Sequence, residues 1–216
     1  RDWSSDVCSS DLAEAADLDG DGDRDVAVCV FGATRGELLW LERGAGGAYA
    51  PHQLSARAGA IHAFPADVDG DGDMDLLAVL AQQTEEVHLY RNRRVAPAGA
   101  PGPVSASDLF QQEVIFAAGN PCFGLSSLAP VDVDGDGDLD VLLTNGDDMD
   151  PECRRADDGG DLHGVFYLEN DGRGRFTRRE IARLHGAYAA RAADLDGDGD
   201  LDLVAASYTL PSWSLG

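Results

Sequence analysis

One nine-residue run occurs four times in this chain: DLDGDGDRD at 17–25, DVDGDGDMD at 67–75, DVDGDGDLD at 132–140 and DLDGDGDLD at 194–202. Aspartate fills its first, third, fifth, seventh and ninth places and glycine its fourth and sixth. Carboxylates at this density repel one another, so their placement needs a physical reason. Glycine at the sixth place permits the left-handed backbone of a sharp turn, so the run can close on itself as a loop. The runs begin 50, 65 and 62 residues apart. That period suggests a propeller or an array of similar units.

The sequence between the runs defines the unit. Behind each run comes a short apolar stretch: DVAVCVF, DLLAVLA, DVLLTN and DLVAAS. These stretches are rich in Val and Leu and bounded by polar residues, as buried strands are. A second strand follows as ELLWLER (37–43), EVHLYRN (86–92) and GVFYLEN (164–170). A third opens on an aromatic: YAPHQL (49–54), FQQEVI (110–115) and FTRREI (176–181). AIHAFPADV, GLSSLAPVDV and AYAARAADL lead into the next run. Each unit is therefore four strands with the aspartate run between its first and second, and no helical periodicity of useful length is present. The fold class expected is all-β: a β-propeller fragment of about three and a half four-stranded blades in an open arc. Blades are expected at 13–57, 58–119, 120–184 and 185–216, with the natural protein continuing in both directions. Residues 2–12 (DWSSDVCSSDL) resemble the translation of a sequencing-library adapter, so 1–12 are set aside as non-native.

Charge follows the same pattern. The formal net charge is −24, and the four runs supply twenty of the 40 acidic residues. Without those twenty the balance would be −4, ordinary for a soluble domain. Nucleic acid and anionic membrane surfaces are poor partners for such a chain, because phosphate binding needs clustered Lys and Arg. No stretch reaches the roughly 18 apolar residues of a membrane span. Cys29 lies in an apolar strand and is expected to be a buried small hydrophobe. Cys122 and Cys153 lie in loop-like sequence and are disulfide candidates in an exported protein, although the cysteine count alone fixes no pairing.

A bound cation resolves the repulsion. Ca²⁺ takes six to eight oxygen ligands at about 2.3–2.6 Å. The expected side-chain ligands are the first-place Asp17, Asp67, Asp132 and Asp194 and the third-place Asp19, Asp69, Asp134 and Asp196. The fifth-place Asp21, Asp71, Asp136 and Asp198 and the ninth-place Asp25, Asp75, Asp140 and Asp202 complete that set. Asp23, Asp73, Asp138 and Asp200, at the seventh place, would contribute main-chain carbonyls. Up to four Ca²⁺ sites follow. An EF-hand shares the start of this pattern but requires a bidentate Glu at the twelfth place and flanking helices. The twelfth places here are Val28, Ala78, Leu143 and Ala205, inside strands, which excludes it. Mg²⁺ fits less well, since it keeps its waters and prefers fewer protein ligands.

On these residues the chain resembles the FG-GAP/VCBS repeats, the propellers of integrin α-subunit heads and of many exported bacterial proteins. FGLSSLAPVDVDGDGDLDV (123–141) carries the resemblance best; the other units keep the loop and the following strand but lack the Phe-Gly pair. The resemblance implies a propeller, often seven-bladed, with Ca²⁺ in the loop joining the first two strands of a blade. In such a blade the loop before the first strand and the loop after the second share a face. Cys122 and Cys153 would occupy those two loops, which favours a disulfide between them.

Histidines 52, 62, 88, 163 and 185 match no metal or catalytic spacing, and His62 and His88, in strands, are expected to be structural. No nucleophile elbow, zinc-protease, P-loop or dinucleotide-binding motif is present. The segments 93–108 and 146–163 are expected to be long connections. The functional expectation is a non-catalytic binding module, secreted, at the cell surface or periplasmic, recognising a protein or carbohydrate. Extracellular calcium modules bind at about 10⁻⁴–10⁻³ M, concentrations that the cytosol does not supply. The alternative is the propeller portion of a polysaccharide-active lyase or hydrolase, which should gather His, Arg, Lys or Tyr from several blades at a central channel; no such repeated set is visible.

Overall fold

The computed structural model describes residues 13–32, 34–82, 84–94, 105–147 and 163–208. Three four-stranded antiparallel sheets succeed one another along the chain. The first contains β1 (Ala13–Ala16), β2 (Asp25–Val30), β3 (Glu37–Arg43) and β4 (Tyr49–Ser55). The second contains β5 (Ala60–Ala66), β6 (Asp75–Leu80), β7 (Glu86–Asn92) and β8 (Phe110–Ala117). The third contains β9 (Leu125–Val131), β10 (Asp140–Asn145), β11 (Gly164–Asn170) and β12 (Phe176–Arg183). A fourth sheet pairs β13 (Ala187–Ala193) with β14 (Asp202–Ser207). Every strand pairs with its sequence neighbour, so each sheet is a meander and the four form an open, unclosed propeller arc.

The core lies between the sheets. In β6 every residue is buried, and alternate side chains serve different neighbours. Leu76, Ala78 and Leu80 join Cys29, Leu38 and Trp40 of the first sheet, whereas Leu77 and Val79 join Leu125, Val141, Leu143 and Phe166 of the third. A strand packed on both faces must be apolar at successive positions, which is why DLLAVL shows no alternation. Leu142 and Val165 turn the other way, onto Ala187 and Ala190 of the fourth sheet. Between the second and third sheets, Phe116, Phe123 and Phe166 pack with ring centroids 5.5–5.7 Å apart. The Arg178 guanidinium lies 4.6 Å from the Phe166 centroid, a cation–π contact.

The outer pair of each full sheet shifts register near the same end of the third strand, at Leu38/Leu39, Val87/His88 and Val165/Phe166. Such bulges sharpen local twist. Cys29 is buried, as expected. The connection read at 93–108 is not wholly irregular: Ser105 caps a single helical turn, α1 (Ala106–Leu109), by accepting the Asp108 amide at 3.3 Å. Leu109 of that turn is buried in the core between the first two sheets. The rest of that connection, 95–104, the insertion at 148–162 and the adapter-like 1–12 lie outside the described residues.

Candidate metal centre

All four aspartate runs occupy the turn between the first two strands of a sheet, and their internal bonds repeat. The first-place carboxylate accepts the sixth-place glycine amide: Gly22 to Asp17, Gly72 to Asp67 and Gly137 to Asp132 at 3.0 Å, and Gly199 to Asp194 at 3.2 Å. The fifth-place carboxylate accepts the seventh-place amide in every run, at 2.8–2.9 Å. Glycine is needed at the sixth place because φ there lies between 93° and 98°. Residues with a Cβ are strained in that region.

These bonds turn the early carboxylates inward. Ligand oxygens of Asp17, Asp19 and Asp21 lie within 4.8 Å of one another, as do those of Asp67, Asp69 and Asp71, and of Asp132, Asp134 and Asp136. In the fourth run the group is Asp194, Asp196 and Asp202. Two oxygens on opposite sides of a Ca²⁺ ion lie roughly 4.6–5.2 Å apart, so this spacing can hold one ion. Asp17 Oδ1 and Asp69 Oδ1 are buried and accept no hydrogen bond. An unpartnered buried carboxylate oxygen is costly unless a cation meets it, so the donor set fits a hard cation. Burial, with the nearby charges of Asp25, Asp21 and Glu42, pushes the Asp19 carboxyl up to about 6.

The ninth-place aspartates behave differently. Asp25, Asp75 and Asp140 are almost fully buried, and each uses both oxygens on backbone amides. One oxygen accepts the second-place amide of its own run: Leu18 at 3.2 Å, Val68 at 3.2 Å and Val133 at 2.9 Å. The other accepts the amide ending the third strand: Arg43 at 2.8 Å, Asn92 at 2.7 Å and Asn170 at 2.8 Å. In the first three runs these residues stand apart from the groups of three, as do the seventh-place aspartates throughout. Asp202 both joins its group and accepts the Leu195 amide at 3.0 Å. Burial raises the carboxyls of Asp25, Asp75 and Asp140, that of Asp75 to about 6.

Cations from outside the runs complete the electrostatics. Arg91 of β7 reaches Asp69 Oδ2 at 2.6 Å and also pairs with Glu113. Arg94 donates to the Gly20 carbonyl at 2.6 Å and approaches Asp73 at 3.8 Å. Arg43 lies 3.4 Å from Asp23. Sequence reading missed these arginines, since their proximity follows from strand register. Of the histidines, His88 is fully buried between the Glu86 carboxylate, 2.7 Å away, and the Gln112 side chain, 2.8 Å away. His62 is half-buried in β5, and its partial loss of solvent lowers it to about 4. His163 and His185 stack with centroids 5.2 Å apart. Cys122 is disulfide-bonded; its expected partner, Cys153, lies outside the described residues.

A series of antiparallel meander sheets, each carrying a carboxylate-lined turn between its first two strands, defines an acidic-loop β-propeller repeat protein. The sequence model of the FG-GAP-like repeat matches residues 17–78 and 132–205. The chain belongs to the FG-GAP-like repeat family. No curated protein sequence matches it significantly.

Proposed function

We propose that this chain is a calcium-binding, non-catalytic propeller module of an exported protein, serving protein or glycan recognition. The supporting observation is the fourfold grouping of carboxylate oxygens, two of them buried without a hydrogen-bond partner. Each group would hold one Ca²⁺ through its first-, third- and fifth-place aspartates in the first three runs and through Asp194, Asp196 and Asp202 in the fourth. Ninth-place carboxylates and seventh-place carbonyls remain available to extend the ligand set. Calcium would cancel the repulsion within each turn and fix the loops on one edge of the arc, leaving loops elsewhere to meet a partner. Export agrees with the weak affinity expected of such sites and with a disulfide at Cys122. No helix among the described residues is long and apolar enough to cross a membrane.

The test is thermal unfolding and calorimetric titration of the full chain in millimolar calcium and in excess chelator. Ligand that binds only the folded state stabilises it by about 2.7 kcal/mol per site at a hundredfold excess over Kd. A midpoint several degrees higher in calcium, with up to four sites titrated, supports the reading. The same midpoint in both buffers refutes it.

A further inference from the structure

Two asparagines tie consecutive aspartate runs together. Asn170, the last residue of β11, is 1% exposed, and its side-chain nitrogen donates in two directions. One bond goes to the Leu139 carbonyl, at the eighth place of its own sheet's run, at 3.0 Å. The other crosses to the preceding sheet and meets the Val68 carbonyl, at the second place of the run 67–75, at 2.9 Å. Asn92, the last residue of β7, repeats the arrangement one sheet earlier. It donates to Met74 of its own run at 3.0 Å and to Leu18 of the preceding run at 2.8 Å.

Joined to the ninth-place bonds, these contacts make one continuous chain. Asp140 accepts the Asn170 amide, the Asn170 side chain holds the Val68 carbonyl, and the Val68 amide is held by Asp75. Asp75 accepts the Asn92 amide, the Asn92 side chain holds the Leu18 carbonyl, and the Leu18 amide is held by Asp25. Leu18 and Val68 each stand between the first-place and third-place aspartates of their runs. Fixing their peptide groups fixes the separation of two carboxylates in each group.

We propose that Asn92 and Asn170 are positioning residues coupling the metal sites at 17–25, 67–75 and 132–140, so that these three fill cooperatively. This rests on the calcium reading above. A cation drawn into 132–140 orders the turn that carries the Leu139 carbonyl, and with it the Asn170 side chain. The Asp67–Asp69 spacing is then set before the next ion arrives, and Asn92 transmits the same effect to Asp17 and Asp19. Asparagine suits the task because its amide offers two donors on one planar group. Aspartate would lose both donors and face a carbonyl instead.

The experiment is hydrogen exchange of the full wild-type chain against rising calcium, followed by mass spectrometry in peptides covering each run, then repeated with Asn170→Ala and Asn170→Asp. The expected result is coincident midpoints for 17–25, 67–75 and 132–140. Either substitution should pull 67–75 away from 132–140 by about fivefold or more in calcium concentration, the scale of an ordinary coupling between sites. The 17–25 and 67–75 midpoints should stay together. A purely structural asparagine would lower the unfolding midpoint without separating these transitions. Unrelated midpoints for these three runs in the wild type overturn the coupling, as do midpoints that stay coincident in both folded variants. Should neither variant fold, the wild-type midpoints decide alone. No calcium-dependent protection in any run overturns the calcium reading itself.

Discussion

At Asp140 two buried oxygens accept two backbone amides; at Asp136 an exposed carboxylate faces its two neighbours in the same turn. These aspartates have different tasks although four residues apart in one motif. Asp140→Ala would strand the Val133 and Asn170 amides in a buried site. It should cost about 2–3 kcal/mol in urea unfolding even in chelator. Asp136→Ala should leave stability in chelator unchanged or slightly improved, because it removes repulsion, and should abolish the extra stability that calcium confers on that turn. Equal behaviour of the two variants in both buffers would show that this division of labour is wrong. Gly137 makes a third prediction. Its φ of 98° lies beyond the range that residues with a Cβ tolerate. Gly137→Ala should therefore cost about 1–2 kcal/mol and weaken calcium uptake at 132–140, both readable from unfolding curves with and without the ion.

Between elements, stability depends on both faces of the middle strands. Leu77 points into the layer shared by the second and third sheets and is fully buried. Leu77→Ala should cost about 2–5 kcal/mol, whereas Val204→Ala, on the 55% exposed side of β14, should cost little. Equilibrium denaturation of both variants checks the contrast. The same junction contains a titrating group. Glu85 is buried, accepts the Gln82 amide at 2.7 Å and reaches the third sheet by accepting the Leu125 amide at 2.6 Å. Burial, reinforced by the Asp147 charge, raises its carboxyl from 4.5 to about 7 against the opposing pull of those amides. Protonated Glu85 favours the folded chain; that contribution is complete below pH 4.5 and disappears as pH rises through about 7. It amounts to at most on the order of 3 kcal/mol. Glu85→Gln should flatten the stability profile between pH 4.5 and 8. An unchanged slope would remove Glu85 from the account.

For the whole molecule, twenty of the 40 acidic residues are concentrated in four turns, and calcium would discharge much of that charge at once. Cys122 adds a covalent restraint beside the third sheet. Non-reducing peptide mapping should recover Cys122 linked to Cys153, and reduction should lower the unfolding midpoint. Recovery of Cys122 as a free thiol from native protein would contradict the disulfide. The repeat, the strand sequence and the place of each run between the first two strands were all legible in the amino-acid order, because glycine spacing and apolar runs are local signals. The turn at Ala106–Leu109 was not, since four residues are too few to show a helical period and its stability comes from Ser105 and from burying Leu109.

By itself the sequence determined the number of acidic turns, their internal geometry and the apolar strands behind them. Each depends on neighbours within a few residues: an aspartate beside the amide it accepts, a glycine where φ must be positive. Only the tertiary structure decided which carboxylates gather in groups of three and which also hold distant backbone amides, because Asp140 accepts the amide of Asn170, thirty residues away. It alone brought Asn170 to Val68 and Arg91 to Asp69. Those contacts arise where one sheet packs on another and strand register aligns side chains distant in the chain, and no local pattern records that alignment.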